Sequence, residues 1–215
     1  MTRVKICGIK NIEDARAAYE AGADELGFHV ALDGGRSPLT PESAAEMIRM
    51  LPGGVSSVVV TSATQPAQLI EIAGKTGARI LQLYGDVTVE TMREIKQAVP
   101  YMELWKVLNV SYESSIAKAK EYKGAADAIA LDTLNKETGA RGGSGKTHDW
   151  NISKKIVESV SIPVVLAGGL TPENVAEAIA TVSPAGVDVN SGVSNPDGSK
   201  DIEKVRAFIK VAKYT

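Results

Sequence analysis

The sequence feature that most constrains the fold is an alternation of short β-rich runs with longer segments of helical periodicity, eight times in succession. Such alternation is typical of βα units around a parallel sheet. Most of the runs are apolar, as expected for strands that are covered on both faces. The predicted strands are residues 4–9, 25–30, 55–61, 80–84, 103–108, 128–132, 163–167 and 186–190. The predicted helices are residues 12–22, 41–51, 65–76, 88–98, 112–122, 150–159, 172–181 and 200–212.

The number of units favours a closed barrel. The eight units share 215 residues, or about 27 residues each, which is close to the minimum for this architecture. A loosely repeated ending, Ala-Gly-Ala-Asp at residues 21–24 and Gly-Ala-Ala-Asp at 124–127, supports the repeat. No linker or shift in composition marks a boundary. We therefore predict an α/β fold, a single (βα)8 TIM barrel in one domain over residues 1–215, with a doubly wound open sheet as the alternative.

Three helix starts have capping signals. Thr40 precedes Pro41 and Thr171 precedes Pro172, so each threonine is placed to cap a helix whose first residue is proline. Asn11 stands before a helical segment with acidic residues in its first turn. We expect all three side chains to accept a hydrogen bond from a backbone N–H of the first turn.

Net charge narrows the classes of partner. The chain has 24 Lys and Arg against 26 Asp and Glu, a formal charge of −2, so it has no broad positive field for nucleic acid or anionic membrane. A small anionic ligand needs only a few local donors and is compatible with this charge. No apolar stretch is long enough for a signal peptide or a membrane span, and we predict a cytoplasmic protein.

Cysteine and histidine are scarce in this chain. The one cysteine, Cys7, has no intrachain partner for a disulfide. The two histidines, His29 and His148, have no Cys, Asp or Glu at metal-ligand spacing. We therefore predict no metal site and expect each histidine to be a packing or surface residue.

Ionisable side chains stand at several strand ends, which form the active face of a βα barrel. Cys7 ends the first strand; it is either a buried small hydrophobe or, if its pKa is drawn below the usual value, a base or nucleophile. Asp132 ends the sixth strand and is either a turn-forming residue or a poised acid. Asp188 lies between valines and should point into the barrel, where a ligand or Lys106 is a candidate partner. A structural role for Lys106 in the barrel interior is the other interpretation, and we favour it.

Loops after the strands add candidate anion donors. Arg36 follows strand two, where its guanidinium either forks onto a substrate carboxylate or lies solvated. Glycine-rich stretches at residues 142–147, 167–170 and 190–193 let backbone N–H groups approach an anion, and the last two follow strands seven and eight, a recurrent phosphate site. The glycine-rich stretch at residues 142–147 does not match the Walker A phosphate-binding pattern, because Ala140 replaces its leading glycine. Residues 133–148 have no helical or strand signal, and such a long loop in a domain is typical of function or mobility.

Several motifs, in order along the chain, resemble those of one enzyme family. They are K-I-C-G at residues 5–8, Q-L at 82–83, L-D-T at 131–133, G-G-S-G-K-T at 142–147, A-G-G-L-T-P-E-N at 167–174 and S-G-V at 191–193. Over nearly its whole length the chain resembles the phosphoribosylanthranilate isomerase family of tryptophan biosynthesis. The resemblance implies a (βα)8 barrel that needs no cofactor. It also implies an Amadori rearrangement of N-(5′-phosphoribosyl)anthranilate to 1-(2-carboxyphenylamino)-1-deoxyribulose 5-phosphate.

The resemblance further implies roles for individual residues. The family's general base falls on Cys7, its general acid on Asp132 and its carboxylate-binding arginine on Arg36. Gln82 and Asp188 fall among the substrate-binding residues. The phosphate-binding residues fall on the glycine-rich loops: Gly143, Ser144, Gly168, Gly169, Ser191 and Gly192.

Four segments depart from the family's pattern. Q-L-H-G becomes Q-L-Y-G with Tyr84, S-G-V-E becomes S-G-V-S with Ser194, and G-F-V-F becomes G-F-H-V with His29. The S-P-R order becomes Gly-Gly-Arg-Ser-Pro at residues 34–38. Because these changes lie near the expected aryl end of the substrate, two alternatives stay open: an isomerase of another phosphorylated sugar or aminosugar, and a non-catalytic phosphate-binding barrel. The sequence is compatible with a monomer or a homodimer.

Overall fold

A closed barrel of eight parallel strands, each followed by a helix, is seen in a computed structural model that describes residues 1–33, 38–110, 112–133 and 147–215. The strands are β1 Arg3–Cys7, β2 Glu25–His29, β3 Ser56–Thr61, β4 Ile80–Leu83, β5 Glu103–Val110, β6 Ala128–Thr133, β7 Val164–Leu166 and β8 Gly186–Val189. The helices are α1 Ile12–Glu20, α2 Pro41–Arg49, α3 Pro66–Thr76, α4 Val89–Ala98, α5 Ser114–Glu121, α6 Trp150–Ser159, α7 Val175–Val182 and α8 Ile202–Tyr214. Strands pair in chain order and β8 pairs with β1, so the predicted (βα)8 barrel is confirmed and the open sheet is wrong.

The boundaries of the strands follow the predicted ones to within two residues. Two of the predicted caps are also confirmed. The Asn11 side chain accepts a hydrogen bond from the backbone N–H of Asp14, and the Thr40 hydroxyl accepts one from that of Ser43. These caps satisfy N–H groups that the first helical turn leaves without a partner.

The region around α7 differs from the prediction. The helix begins at Val175, so Thr171 is not its cap, although the Thr171 hydroxyl still accepts the N–H of Glu173 at 3.3 Å. Instead the Asn174 side chain accepts the Thr171 N–H and closes a turn ahead of the helix. The sequence also gave no signal for a short 3₁₀ turn at Ser191–Val193, which follows β8.

Alternate residues of each strand face the lumen of the barrel and the surrounding helices. In β1, Val4 and Ile6 pack with the outer core beneath the helices, whereas Cys7 belongs to the inner cluster. Lys5 has the same parity as Cys7 and faces the lumen. The apolar filling of the lumen comes from Val58, Val60, Ile80, Trp105, Val107, Ala128, Ala130 and Val165.

The repeated Asp ending has one structural role in both units. The Asp24 carboxylate accepts the N–H of Val4 at 2.8 Å, and the Asp127 carboxylate accepts the N–H of Leu104 at the same distance. Each aspartate also donates its own N–H to the carbonyl of that partner residue. Both side chains thus bind the start of one strand to the connection that leads into the next strand.

Candidate active site

The Cys7 thiol lies at the carboxyl end of β1, inside the barrel. The residue is 6% exposed, and its Sγ lies 3.4 Å from Nε2 of His29 at the end of β2. Gly27 leaves room for the thiol, because a Cβ there would lie 2.7 Å from Sγ and 3.1 Å from Nζ of Lys5. The thiol is therefore in a crowded pocket between an imidazole and an ammonium group.

A role for Cys7 as base or nucleophile is predicted on condition that its pKa is drawn below the usual value, and the surroundings of the thiol do not meet this condition. Burial raises the pKa of the Cys7 thiol, and the Lys5 ammonium offsets this rise only in part. The Asp188 carboxylate raises that pKa further. The pKa is therefore not drawn below the usual value, and in the free protein the group is mainly a thiol at neutral pH.

Asp188 points into the lumen as its position between valines predicted, but its partner is not Lys106. Its Oδ2 accepts a hydrogen bond from Nζ of Lys5 at 2.6 Å, and both side chains are buried. Lys106 lies on the outward-facing side of β5, because Leu104 and Leu108, two residues away on either side, pack with the outer core. Its ammonium therefore lies outside the barrel wall, so the predictions of a pair with Asp188 and of a place in the interior are wrong.

Lys106 has a structural environment in that outer layer. Its Nζ donates to the carbonyl oxygens of Leu83, Gly85 and Val107, and it lies 5.7 Å from the centre of the Tyr122 ring. These contacts tie the carboxyl end of β4 to β5. Lys106 thus supports the strand ends from outside.

Asp132 stands at the carboxyl end of β6 with both oxygens in contact. The Tyr84 hydroxyl donates to Oδ2, and the Thr133 N–H donates to Oδ1 at 2.7 Å. Burial raises the pKa of Asp132, and the two hydrogen bonds counteract that rise. Burial also raises the pKa of the Tyr84 phenol, so this group remains a donor at neutral pH. Asp132 is thus held in one orientation and shifted toward its acid form.

Three buried acceptors of the strands near this site have no hydrogen-bond partner among the described residues. They are Oε1 of Gln82, Oδ1 of Asn109 and Oδ1 of Asp188. Gln82 and Asp188 are among the residues predicted to bind substrate, whereas Asn109 lies near the carboxyl end of β5 and pairs with Asp132 in the sheet. Because an unpaired buried acceptor costs free energy, these atoms favour a polar ligand that donates hydrogen bonds.

The predicted phosphate-binding glycines form tight turns after β7 and β8. Gly168 and Gly169 have φ of +86° and +70°, and a Cβ on Gly168 would lie 2.3 Å from Oγ1 of Thr133. A Cβ on Gly192 would lie 2.0 Å from the carbonyl oxygen of Leu170. The turn at Gly168 thus packs against the end of β6, next to the predicted acid.

Ser191 and Gly192 begin the 3₁₀ turn at the end of β8, and a buried lysine lies against this turn. Nζ of Lys200 donates to Oδ1 of Asn190 at 2.9 Å and to Oγ of Ser194 at 2.8 Å. Lys200 is 3% exposed. Sequence reasoning missed it, although the departure at Ser194 marks the position of its contact.

The two histidines have different surroundings. His148 bridges the side chains of Thr133 and Ser153, at 2.9 and 2.6 Å, and fits the predicted packing role. His29 instead contacts the Cys7 thiol, whereas we expected a packing or surface residue. Among the described residues, no cluster of His, Cys, Asp and Glu could hold a metal ion, and no helix is long and apolar enough to cross a membrane.

Part of the predicted site lies outside the described residues. Arg36, Gly143 and Ser144 belong to this part, as does most of the loop predicted at residues 133–148. A cavity of about 420 Å³ opens at the opposite, amino-terminal end of the barrel, where Arg3, Glu25 and Trp105 contribute to its wall. It lies away from Cys7 and Asp132 and therefore does not enter the candidate site.

Comparisons with known proteins agree with this geometry. Residues 4–211 match the family described as N-(5′phosphoribosyl)anthranilate (PRA) isomerase. The N-(5′-phosphoribosyl)anthranilate isomerase of Methanocella arvoryzae is 42% identical, with full coverage of both chains. Phosphoribosyl anthranilate isomerase of Thermotoga maritima superposes with a TM-score of 0.88 at 37% identity, and again each chain is fully covered. A phosphoribosyl anthranilate isomerase solved with reduced 1-(o-carboxyphenylamino)-1-deoxyribulose 5-phosphate superposes with a TM-score of 0.85 at 34% identity and full coverage.

Proposed function

The chain belongs to the N-(5′-phosphoribosyl)anthranilate isomerase family, and we propose that it performs the family's Amadori rearrangement with Asp132 as general acid and Cys7 as general base. One observation carries this assignment of roles. The only cysteine and a carboxyl group with a raised pKa both lie at carboxyl ends of strands, on the active face of the barrel. Acid and base on one face suit a reaction that adds a proton at one atom and removes one at the next.

Asp132 performs the first proton transfer. Its carboxyl proton passes to the ring oxygen of the ribose while the C1′–O bond breaks and the anthranilate nitrogen forms a double bond to C1′. The fixed orientation of the carboxyl group by Tyr84 and Thr133 suits a transfer to one atom of the substrate. Desolvation favours the protonated form that this step requires.

Cys7 performs the second transfer. Its thiolate removes the C2′ proton, and the electrons of that bond move to form an enolamine between C1′ and C2′. Protonation at C1′ and loss of the O2′ proton then give the ketone, with no net change of protons in that step. Each turnover thus leaves Cys7 as thiol and Asp132 as carboxylate, and one proton must pass from the first to the second through solvent.

The pair sets the pH dependence. The competent form has a thiolate and a carboxylic acid, and this form holds one proton between the two groups. We expect kcat/KM to fall at low pH, where both groups hold protons, and at high pH, where neither does. Because the pKa of Cys7 is raised, the competent form is a minor one in the free protein.

The substrate's other groups have candidate partners. The oxygens of Gln82 and Asp188 that have no partner among the described residues are the proposed acceptors for ribose hydroxyls. Arg36 is the proposed partner of the anthranilate carboxylate. The phosphate is proposed to bind N–H groups of the glycine-rich turns, namely Gly143, Ser144, Gly168, Gly169, Ser191 and Gly192. A single domain over residues 1–215, a cytoplasmic location and a monomeric or homodimeric state stay predictions, as does the absence of cofactor, nucleic-acid and membrane partners.

The experiment is turnover of freshly prepared N-(5′-phosphoribosyl)anthranilate by the wild type and by Cys7→Ser and Asp132→Asn. Loss of either group should reduce kcat by about 10²- to 10⁴-fold, because that is the usual contribution of one general acid or base. Asp149→Asn is the matched control, since this exposed N-cap residue of α6 lies outside the site and asparagine caps equally well. Wild-type turnover no faster than that of the two site variants would refute the proposal.

A second candidate is an isomerase of another phosphorylated sugar or aminosugar, which the altered loop after strand two, at residues 34–38, would allow. Competition with a product analogue separates the two. If an anthranilate-bearing analogue fails to bind while simple ribose phosphates do bind, the second candidate gains support. If both bind and no substrate is turned over, the non-catalytic phosphate-binding barrel is supported instead.

A further inference from the structure

Besides Lys5, His29 is a described polar side chain in hydrogen-bond contact with the Cys7 thiol. Its Nε2 lies 3.4 Å from Sγ, at the end of the neighbouring strand β2. His29 is half-buried, whereas Cys7 is 6% exposed. The residue also stands where the family's G-F-V-F pattern has valine, which has no polar group to offer.

The charges around this contact keep the imidazole neutral. Burial lowers the pKa of His29 to about 3, and nearby ammonium groups reinforce this shift. These ammonium groups are those of Lys5, Lys10 and Lys200. Around the thiol, the charged groups are Lys5, Lys200 and Asp188. At working pH the ring therefore has one N–H and one free lone pair, and it does not form an imidazolium–thiolate ion pair.

A neutral imidazole has two tautomers, so the Nε2 atom that faces Sγ has either a lone pair or a hydrogen. If Nε2 has the lone pair, it accepts a hydrogen bond from the S–H group and stabilises the thiol. If Nε2 has the hydrogen, it donates to sulfur and favours the thiolate. Hydrogen bonds to an ionised group are about twice as strong as bonds between neutral groups, so the second arrangement gains when the thiol loses its proton.

We propose that His29 is a positioning residue for the general base, and that its neutral imidazole donates the Nε2 hydrogen to the Cys7 thiolate. The proposal rests on the function proposed above, which needs that thiolate. In a crowded site where burial opposes ionisation, this donor and the Lys5 ammonium act together on one sulfur atom. His29 therefore raises the fraction of thiolate without contributing a proton to the reaction.

The test uses two variants. His29→Val installs the residue of the family's pattern and removes the donor, whereas His29→Gln replaces it by an amide N–H that does not titrate. We expect His29→Val to raise the pKa of Cys7 and to slow alkylation by iodoacetamide below that pKa roughly tenfold, the gain of one charge-assisted bond over a neutral one. His29→Gln should recover most of the rate, because a neutral donor is sufficient.

Two readouts make the outcome decisive. The first is the pH profile of Cys7 alkylation, which needs no substrate; the second is the ¹⁵N spectrum, in which only two histidines appear and a His148→Asn variant assigns them. The proposal predicts an Nε2–H tautomer for His29 when Cys7 is ionised. It is overturned if alkylation of His29→Val equals that of the wild type, or if His29→Gln is as slow as His29→Val, since the second result would show that a neutral N–H donor at this position does not stabilise the thiolate. If the wild type fails to turn over the substrate while these readouts behave as expected, the proposed function fails and the contact stands.

Discussion

The Lys200 ammonium is buried beside the predicted phosphate turn with neutral partners only, among the described residues. It donates to Oδ1 and the carbonyl oxygen of Asn190 and to Oγ of Ser194. Burial lowers the pKa of Lys200 to about 8, although the more distant carboxylates of Asp14 and Asp188 oppose this shift. A carboxylate next to Nζ should therefore stabilise the fold, and Ser194→Glu would supply one from the half-buried position that already contacts the ammonium.

The structure gives the size of this effect. A shift from 10.5 to about 8 corresponds to roughly 3 kcal/mol of unfolding free energy that the charged ammonium costs at neutral pH. A new ion pair cannot return all of it, because the glutamate must also lose part of its hydration. We expect Ser194→Glu to exceed Ser194→Gln in unfolding free energy by about 1–3 kcal/mol at neutral pH.

The pH dependence of that difference has a definite sign. In Ser194→Gln the native Lys200 loses its proton near pH 8, before the unfolded chain does, so the stability of this variant rises from about pH 8 to pH 10.5. In Ser194→Glu the raised pKa keeps Lys200 charged over the same range. The advantage of glutamate over glutamine is therefore largest at neutral pH and shrinks as the pH approaches about 10.

Urea unfolding of both variants at neutral pH and at about pH 10 measures the difference. Glutamine is the matched control, since it has the shape of glutamate and no charge. Equal stability of the two variants at neutral pH would show that a carboxylate next to the Lys200 ammonium does not stabilise the fold. A glutamate advantage of the same size at both pH values would show that its pKa is not lowered.

Two further substitutions test the surroundings of the proposed acid. Tyr84→Phe removes a hydrogen bond that lowers the pKa of Asp132, so the acid limb of the kcat/KM profile should move to higher pH; an unchanged limb in that profile would contradict the contact. Gly168→Ala should cost several kcal/mol in urea unfolding and reduce turnover, because its Cβ would meet Thr133 at 2.3 Å and its φ is +86°. Gly77→Ala, with φ of +62° and no atom within 4 Å, is the control for backbone strain alone and should cost about 1 kcal/mol; equal losses would rule out the clash.

The barrel could be predicted because its signal is spread over the whole chain. Eight successive alternations between strand and helix periodicity fit few other architectures, and two of the units share the local contact made by Asp24 and Asp127. The partner of Asp188 could not be predicted in the same way. Lys5 and Lys106 are both single lysines in strands that are apolar on both sides, so the sequence lacks the alternation that would tell lumen from outer layer.

The wrong cap prediction at Thr171 has an equally local cause. Thr40-Pro41-Glu42 and Thr171-Pro172-Glu173 are the same tripeptide, yet only the first caps a helix directly. The difference lies one residue later. The Thr40 hydroxyl accepts the N–H of Ser43, three residues on, whereas the Thr171 hydroxyl accepts that of Glu173, two residues on. The Asn174 side chain accepts the N–H of Thr171 and closes a competing turn. A cap signal thus depends on what the following residue offers the backbone.

Three departures from the family's pattern acquire a common meaning in the structure. Tyr84 contacts Asp132, His29 contacts Cys7, and Ser194 contacts Lys200. None of the three replaces a proposed acid or base; each changes the hydrogen bond or charge next to an ionisable group. Substitutions of this kind alter pKa values and leave the bonds made and broken unchanged. We therefore expect these three departures to shift the pH range of the isomerisation rather than to change its substrate; most of the fourth departure, at residues 34–38, lies outside the described residues.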